Sequence, residues 1–213
     1  MTRRVTVMLV DDHAVVRMGY RLLLSQTATI EVIAEAETGE EACQKFVDCA
    51  PDVVVMDLNL PGIGGLAAIR RIVARDPAAR ILVFSIHDEP VYVSRALDAG
   101  ALGYISKSGA PEMLIEAVAC IASGQAFLEP GIAHQLASQE KPHTVPLMDR
   151  LTPREFDVLC LLAQGRSTRE TAEQLRLSAK TVANYVTTIK EKLNAGTTAE
   201  LVKLAYQSNL VPR

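Results

Sequence analysis

Residues 53–62 read VVVMDLNLPG, and this stretch decides the fold that we expect. An apolar run leads to a single carboxylate, Asp57, and a Pro61-Gly62 turn closes the segment. This pattern is typical of a fully buried parallel strand that presents a side chain at its carboxyl end. In an open α/β sheet, that end faces the crevice where ligands bind. Asp57 is therefore the candidate reactive group.

Short apolar runs alternate with helical patterns on both sides of this stretch. The alternation predicts a five-stranded, doubly wound parallel sheet with helices on both faces and right-handed crossovers. A flavodoxin-like strand order of 2-1-3-4-5 would make the first and third strands neighbours. Neither GxGxxG nor a P-loop occurs, so nucleotide binding has no support. Besides the strand at residues 53–56, predicted strands cover residues 5–10, 30–36, 81–85 and 101–106.

Polar side chains follow four of the predicted strands. Asp11 and Asp12 follow the first strand, Asp57 follows the third, Ser85 ends the fourth, and Lys107 lies just past the fifth. Carboxylates that share one pocket repel each other unless a cation lies among them. Mg²⁺ suits this set, since it binds one or two carboxylates and keeps positions for water and phosphate oxygens. We therefore expect Mg²⁺ as the cofactor.

A carboxylate beside Mg²⁺ can act as a nucleophile toward a phosphoryl group. Ser85 could hydrogen-bond a phosphoryl oxygen, and Lys107 could pair with the phosphoryl charge. These residues together form the apparatus for an aspartyl phosphate. The sequence thus predicts Asp57 as phosphoacceptor, with Ser85 and Lys107 as its catalytic partners.

Length and charge indicate two domains with different partners. The chain has 213 residues, 49% of them apolar, and its net charge of −3 divides into −5 for residues 1–128, −1 for 129–146 and +3 for 147–213. Only the C-terminal part is therefore expected to meet a polyanion. No apolar run approaches the ~18 residues of a membrane span, and no signal peptide is readable, so we expect a cytoplasmic protein without a membrane partner.

The four cysteines show no CxxC spacing and fall within apolar helical patterns. Reduced thiols in the protein core are therefore expected, rather than a disulfide or a zinc site.

Periodicity fails between the two charged parts of the chain. We expect a first domain at 1–128, a linker at 129–148 that keeps a helical start at 132–138, and a second domain at 149–213. In that second domain, helices are predicted at about 153–164, 168–175, 179–193 and 198–207.

Helix caps support these four helices. Capping boxes begin at Thr152, Ser167 and Thr197, each with Glu three residues later, and Ser178 is a cap without that partner. The short turn before Ser178 is the length expected of a helix-turn-helix. We therefore predict a small, all-α, four-helix domain with a helix-turn-helix.

Four segments together resemble a response regulator of the NarL/FixJ family. They are VDDHAVVR (10–17), VVVMDLNLPGIGG (53–65), FSIHDEPVYVSRALDAGALGYISKS (84–108) and LTPREFDVLCLLAQGRSTRETAEQLRLSAKTVANYV (151–186), which span nearly the whole chain.

The resemblance implies a receiver domain that a partner histidine kinase phosphorylates on Asp57. It also implies that Asp12 and the backbone carbonyl of Asn59 help to bind Mg²⁺, with Asp11 acting largely through water. Ser85 and Tyr104 would form the switch pair, in which the hydroxyl moves toward the phosphoryl group and the ring follows inward.

His13 and His87 flank the expected pocket. The resemblance gives neither of them a role as a metal ligand. A loop histidine near acids is more often a solvent-facing neighbour, and we expect this of both.

The predicted helix at 179–193 should read DNA. Val182, Val186, Ile189 and Leu193 recur at helical spacing and predict one buried stripe. The other side of the helix would lie in a major groove as the reading surface of a homodimer on double-stranded DNA. Its candidate contacts are Lys180, Thr181, Ala183, Asn184, Thr187 and Thr188.

Some positions of this helix depart from the family pattern. The family often has lysines where this chain has Ala183 and Thr187, and histidine in place of Tyr185. Fewer cations on the helix mean fewer phosphate contacts. The remaining candidates for such contacts are Arg154, Arg166, Arg169, Lys190 and Lys192.

Two other classes of protein compete with a phosphorylation-switched transcription regulator. An enzyme that uses an aspartyl phosphate, such as a phosphatase, usually has a second acid two residues after the nucleophile, and here that residue is Asn59. We therefore expect that the chain is not an enzyme. A receiver whose helical tail binds RNA or protein is the other alternative, and the helix-turn-helix spacing argues against it.

Overall fold

The computed structural model describes residues 3–138, 148, 150–208 and 210. The chain divides into two compact units, Met1–Leu136 and Ala137–Arg213. No helix among the described residues is long and apolar enough to cross a membrane.

A parallel sheet with helices on both faces forms the first unit, as the alternation of apolar runs predicts. The strands β1 to β5 lie in the order β2-β1-β3-β4-β5, which confirms the predicted fold and order. The five strands are Val5–Val10, Ile30–Ala36, Val53–Met56, Ile81–Ser85 and Gly103–Ser106. The helices α1 to α5 are Ala14–Ser25, Gly39–Cys49, Gly65–Arg75, Pro90–Asp98 and Glu112–Ala122.

A sixth strand, which we did not predict, extends the sheet beyond β5. This strand, β6, has two residues, Phe127–Leu128, and pairs in parallel with Gly103 and Tyr104. Two residues are too few to show the period of a strand in the sequence. A helix, α6, then covers Pro130–Ser138, within the segment where a linker with a helical start was expected. The linker residues 139–147 lie outside the described residues.

The central strands of the sheet are almost fully buried. All four residues of β3 are buried, and β4 is buried along its whole length. Burial on both faces explains why the sequence of β3 is uniformly apolar instead of alternating. The strands that carry the site are thus held by packing on each side, with little freedom at their carboxyl ends.

Gly65 allows α3 to begin directly against the strand end that carries Asp57. Its N–H donates to the carbonyl of Leu58 at 3.0 Å. A Cβ at this position would lie 2.1 Å from the carbonyl oxygen of Asp57 and 2.6 Å from the Cα of Leu58. Both of these atoms belong to the backbone, so the clash cannot be relieved by a side-chain rotation.

The second unit contains the four helices predicted from the caps. These are α7 Pro153–Ala163, α8 Thr168–Gln174, α9 Ala179–Leu193 and α10 Thr198–Gln207. Both hydrogen bonds of a capping box form at Thr152 and at Ser167, and Ser178 accepts from the N–H of Thr181. The predicted caps therefore define where these helices begin.

The third predicted capping box forms only in part. Thr197 accepts from the N–H of Glu200, but the Glu200 carboxylate accepts from the N–H of Gly196 at 2.6 Å instead of from that of Thr197. The backbone turns between α8 and α9 at Arg176, which has a positive φ of 52°. The prediction of a short helix-turn-helix connection agrees with this geometry.

The predicted buried stripe of α9 is present with one exception. Val182, Ile189 and Leu193 are buried, while Val186 is only half-buried. The cysteines are all free, as expected, but only Cys160 lies in the core. Cys43 and Cys120 are partly exposed and Cys49 is exposed, so the prediction of core thiols was wrong for these residues.

Gly65→Ala should lower the free energy of unfolding by about 1–3 kcal/mol or more, because the added methyl group meets the backbone around Asp57. Gly19→Ala is the matched control, since a Cβ there meets nothing within 4 Å inside helix α1. The control should gain about 0.5–1 kcal/mol from helix propensity. Urea unfolding of both variants measures this difference, and equal stabilities would contradict the role assigned to Gly65.

Candidate functional site

The centre of the site is an ammonium group that lies between two carboxylates. Asp11 follows β1, Asp57 follows β3 and Lys107 follows β5. The Nζ of Lys107 lies 2.5 Å from Oδ2 of Asp11 and 2.6 Å from Oδ2 of Asp57. The side chains of Asp11 and Asp57 are only 6% and 5% exposed. Three of the predicted site residues therefore meet in one buried cluster at the carboxyl edge of the sheet.

Burial and neighbouring charge act in opposite directions on these groups. Burial raises the pKa of Asp57 and the charge of Asp11 adds to this effect, although Lys107 opposes it. Burial alone would lower the pKa of Lys107, but the attraction of Asp57 and Asp11 outweighs it and the pKa is raised. Lys107 is thus held in its charged form by the carboxylates that it neutralises.

Asp12 lies beside Asp11 but has a different partner. His13 Nδ1 is 2.8 Å from Oδ1 of Asp12 and 3.3 Å from Oδ1 of Asp11. One potential ligand atom from each of these residues lies within 4.8 Å of the other two, and Asp57 is not part of this group. The two aspartates supply the hard oxygen donors that Mg²⁺ prefers, so the donor set fits this ion.

The Asn59 backbone touches the phosphoacceptor candidate directly. Its N–H donates to Oδ1 of Asp57 at 3.3 Å. The Asn59 side chain, in contrast, faces His87, with its amide nitrogen and oxygen 3.1 and 3.3 Å from His87 Nε2. The side chain of Asn59 is therefore engaged with β4 and its loop, while its backbone faces Asp57.

Ser85 and Tyr104, the residues predicted to form the switch pair, both lie in the interior. Both residues have no exposed surface. The Tyr104 hydroxyl donates to the backbone carbonyl of His87 at 2.6 Å, and burial raises the pKa of this phenol. The ring of Tyr104 thus already lies inward.

His87 is not the solvent-facing neighbour that we expected. It is only 7% exposed, and its ring stacks on Tyr92 with centroids 4.1 Å apart and planes within 7°. The expectation failed because a loop position in the sequence carries no sign of the aromatic ring that covers it from α4. His13 has an exposed side chain, as predicted.

Arg17 is a site residue that the sequence reasoning missed. Its guanidinium is buried, donates to the backbone carbonyl of Asp11 at 2.6 Å and pairs with Glu35 and Glu37. Arg17 therefore fixes the end of β1 from the side of α1 and β2. Its position in the first turn of the helix that follows the acidic pair was the available signal, because a charged residue on the inner face of a helix needs partners.

The predicted reading surface of α9 is only partly open. Lys180, Ala183, Asn184 and Thr187 are exposed, whereas Thr181 and Thr188 are half-buried. The hydroxyl of Thr187 donates to the carbonyl of Ala183, and the hydroxyl of Thr188 donates to that of Asn184, both at 3.2 Å. The Thr181 hydroxyl is bonded to Ser178 at 2.8 Å. These threonines thus use their hydroxyls within the helix.

Two of the cations expected to meet phosphate are held inside the second unit. Arg154 is 7% exposed and pairs with Asp157 at 3.2 Å. Lys192 Nζ lies 2.6 and 2.8 Å from the two oxygens of Glu155. Burial alone would raise the pKa of Glu155, but hydrogen bonds from Lys192 and Thr152 outweigh it and lower the pKa.

Arg166 and Arg169 are exposed, although Arg169 pairs with Glu173 at 3.1 Å. An exposed pair of this kind is worth little and can be exchanged for another partner. Arg166, Arg169 and the half-buried Lys190 therefore remain available to an external anion.

Comparison with known proteins matches both parts of the chain. Residues 7–119 match the response regulator receiver domain, and residues 149–205 match the luxR family of bacterial regulatory proteins. The transcriptional activator protein ExaE of Pseudomonas putida is 43% identical over 96% of this chain and 97% of its own length. The response regulator UvrY of Escherichia coli K12 is 38% identical over 97% and 95%.

A solved structure resembles the chain over nearly its full length. RcsB from Salmonella enterica serovar Typhimurium, bound to a promoter in the presence of the phosphomimetic BeF3−, is 28% identical and has a TM-score of 0.62. The match covers 95% of this chain and 98% of RcsB.

Lys107→Met should lower the free energy of unfolding in metal-free buffer by about 3–5 kcal/mol, because two buried carboxylates lose their counter-charge. Adding Asp57→Asn to this variant should recover part of the loss, since one of the stranded charges is removed.

Lys45→Met is the control, because Lys45 forms a half-exposed i,i+4 pair with Glu41 at 2.7 Å. This change should cost about 1 kcal/mol or less. Denaturant unfolding of the single and double variants gives the coupling energy. Similar losses for Lys107→Met and Lys45→Met would show that the cluster is not a coupled, buried network.

Proposed function

The chain belongs to the response regulators that combine a receiver domain with a LuxR-family domain, and from this premise we propose that Asp57 accepts a phosphoryl group from a partner histidine kinase. The observation that carries the proposal is the Lys107 ammonium 2.6 Å from a carboxylate at the edge of the parallel sheet. A buried carboxylate that lies beside a fixed cation is suited to become an acyl phosphate.

The reaction follows from the groups around Asp57. A carboxylate oxygen of Asp57 forms a bond to phosphorus while the bond from phosphorus to the donor imidazole nitrogen breaks, and the freed imidazole takes up a proton. Lys107 then pairs with a phosphoryl oxygen in place of the Asp57 oxygen that it holds now. The hydroxyl of Ser85 donates to another phosphoryl oxygen.

We assign Mg²⁺ binding to Asp11, Asp12 and the Asn59 carbonyl, with Asp57 completing the site. When bound, the ion neutralises the acids and the phosphoryl oxygens. The pairing of His13 with Asp12 supports a role for His13 in holding that carboxylate before the metal binds.

Phosphorylation is proposed to act through Ser85 and Tyr104. Because Tyr104 already lies inward, its ring need not swing in, and the change at Ser85 is what Tyr104 would sense. The pKa of Tyr104, raised by burial, keeps its hydroxyl protonated and able to donate.

The output of the chain is regulation of transcription through DNA. RcsB, which it resembles, is described as bound to a promoter and as dimers on DNA, and α9 presents exposed polar residues at the corresponding reading surface. We propose that phosphorylation favours a homodimer, because a two-fold reader matches a palindromic site. The cytoplasm, where bacterial DNA lies, is the location that this proposal implies.

The domain boundaries of 1–128 and 149–213, with a linker at 129–148, are retained as part of the proposal. The family matches at 7–119 and 149–205 are compatible with them. The family consists of regulators, which supports the expectation that the chain is not an enzyme with a substrate of its own.

Asp57→Ala protein should not gain mass when it is incubated with acetyl phosphate and Mg²⁺, because among the described residues Asp57 is the carboxylate that holds the Asn59 N–H on Oδ1 and the Lys107 ammonium on Oδ2. Asp52→Ala is a control of the same residue type, since Asp52 precedes β3 and binds Thr6 and Arg3. Intact-mass spectrometry reads both proteins. A full phosphoryl equivalent on Asp57→Ala would refute the assignment.

Phosphorylation is expected to favour the homodimer, so sedimentation with beryllofluoride should show more dimer only when Asp57 is present.

Asn184→Ala should weaken binding to the specific DNA site by about 1–3 kcal/mol and binding to random DNA very little, because an amide can read a base edge. Lys180→Ala should weaken both and lower the salt slope by about one, as expected for a phosphate contact. The Asn184 side chain is exposed, so its amide is accessible to DNA.

Gln207→Ala is the matched control, since it removes an exposed amide from α10 and not from α9. Binding isotherms on both DNAs at two salt concentrations give the four values needed. Equal losses on specific and random DNA for Asn184→Ala would mean that this residue does not read bases.

A further inference from the structure

His87 is a buried group that the proposed reaction does not use. It follows β4, two residues after Ser85, and is only 7% exposed. Its contacts extend to the phosphoacceptor loop, to the switch pair and to α4.

The side chain of His87 joins the phosphoacceptor loop to α4. On one side, Nε2 lies 3.1 and 3.3 Å from the amide atoms of Asn59, whose backbone N–H donates to Asp57. On the other side, the ring lies flat on Tyr92, with centroids 4.1 Å apart. Tyr92 is itself buried in the first turn of α4, so neither ring of the stack is open to solvent.

The backbone of His87 joins the two members of the switch pair. Its N–H donates to Oγ of Ser85 at 3.3 Å, and its carbonyl accepts from the Tyr104 hydroxyl at 2.6 Å. A movement of the Ser85 hydroxyl toward a phosphoryl group would therefore remove or alter a hydrogen bond to His87. A movement of Asn59 would alter the other side of the same residue.

Helix α4 begins three residues after His87, at Pro90. Glu89 is its N-cap, Pro90 fixes its first position, and the His87 Nδ1 lies 3.7 Å from Oε2 of Glu89. A short segment that begins with a buried, stacked ring and ends in a proline has few ways to absorb a displacement. A shift of His87 would therefore be transmitted to α4.

We propose that His87 is a positioning residue that couples the occupancy of Asp57 to the position of α4, through its bond to Asn59 and its stack on Tyr92. This inference rests on the proposed phosphorylation of Asp57 and adds a route to α4 beside the Ser85 and Tyr104 pair. A histidine that merely fills space would need neither the amide partner nor the parallel ring.

The first test uses the unaltered full chain with beryllofluoride and Mg²⁺, observed by NMR. The His87 ring protons stack on Tyr92 and should resonate upfield. Addition of beryllofluoride should shift the Asn59 amide, the His87 ring protons and the α4 amides together. Movement of the Asn59 amide with unchanged His87 and α4 signals would overturn the coupling alone. No change around Asp57 would overturn the proposed function as well.

Variants separate coupling from packing. His87→Phe keeps a ring on Tyr92 but loses the bond to Asn59, and Tyr92→Leu keeps apolar bulk but loses the stack. Both should lose most of the α4 response that beryllofluoride produces at saturation, while Tyr92→Phe should retain it. His134→Gln, a change at an exposed histidine of α6, is the control and should respond as the unaltered chain does.

The comparison of the Tyr92 variants decides the matter even if His87→Phe does not fold. An α4 response in Tyr92→Leu equal to that of Tyr92→Phe would refute the role of the stack. A full α4 response in a folded His87→Phe would refute the role of the Asn59 bond. The extent of phosphorylation by acetyl phosphate, measured by mass for each variant, shows whether a lost response reflects coupling or loss of the phosphoacceptor chemistry.

Discussion

The contact on which the site depends is the ion cluster of Lys107 with Asp11 and Asp57. Two carboxylates at the ends of neighbouring strands would repel each other in a buried pocket, and the ammonium between them removes this cost. The same arrangement makes the pocket sensitive to the proposed phosphorylation of Asp57. A phosphoryl group on Asp57 brings new oxygens to Lys107, so the cluster must rearrange when the site is occupied.

The fold supplies this cluster through strand order and close backbone packing. Because β1 and β3 are neighbours and β5 lies two strands beyond β3, the three side chains reach one edge of the sheet from different parts of the chain. Gly65 lets α3 start against the Asp57 backbone, and Arg17 holds the carbonyl of Asp11. The positions of the charged groups are therefore set by the backbone, which limits how far they can separate.

The sequence was sufficient to predict strands β1 to β5 and the aspartates that follow β1 and β3, because apolar runs that end in carboxylates are a local signal. It also defined the starts of α7, α8 and α9, since caps are read from neighbouring residues. It was not sufficient for β6, whose two residues show no period, or for Arg17 and His87. The partners of these last two residues, Glu35, Glu37, Asn59 and Tyr92, come from other elements, and only the folded chain brings them together.

The same distinction between local and tertiary information applies to DNA binding. The net charge of +3 for residues 147–213 does not state how many cations can reach a phosphate. Arg154 pairs with Asp157 within α7, and Lys192 of α9 pairs with Glu155 of α7. Both cations therefore already have carboxylate partners inside the second unit. Affinity for the DNA backbone must then come from the remaining cations, among them Arg166, Arg169 and Lys190. Fewer phosphate contacts lower the nonspecific part of the binding energy and leave more of the discrimination to the polar side chains of α9.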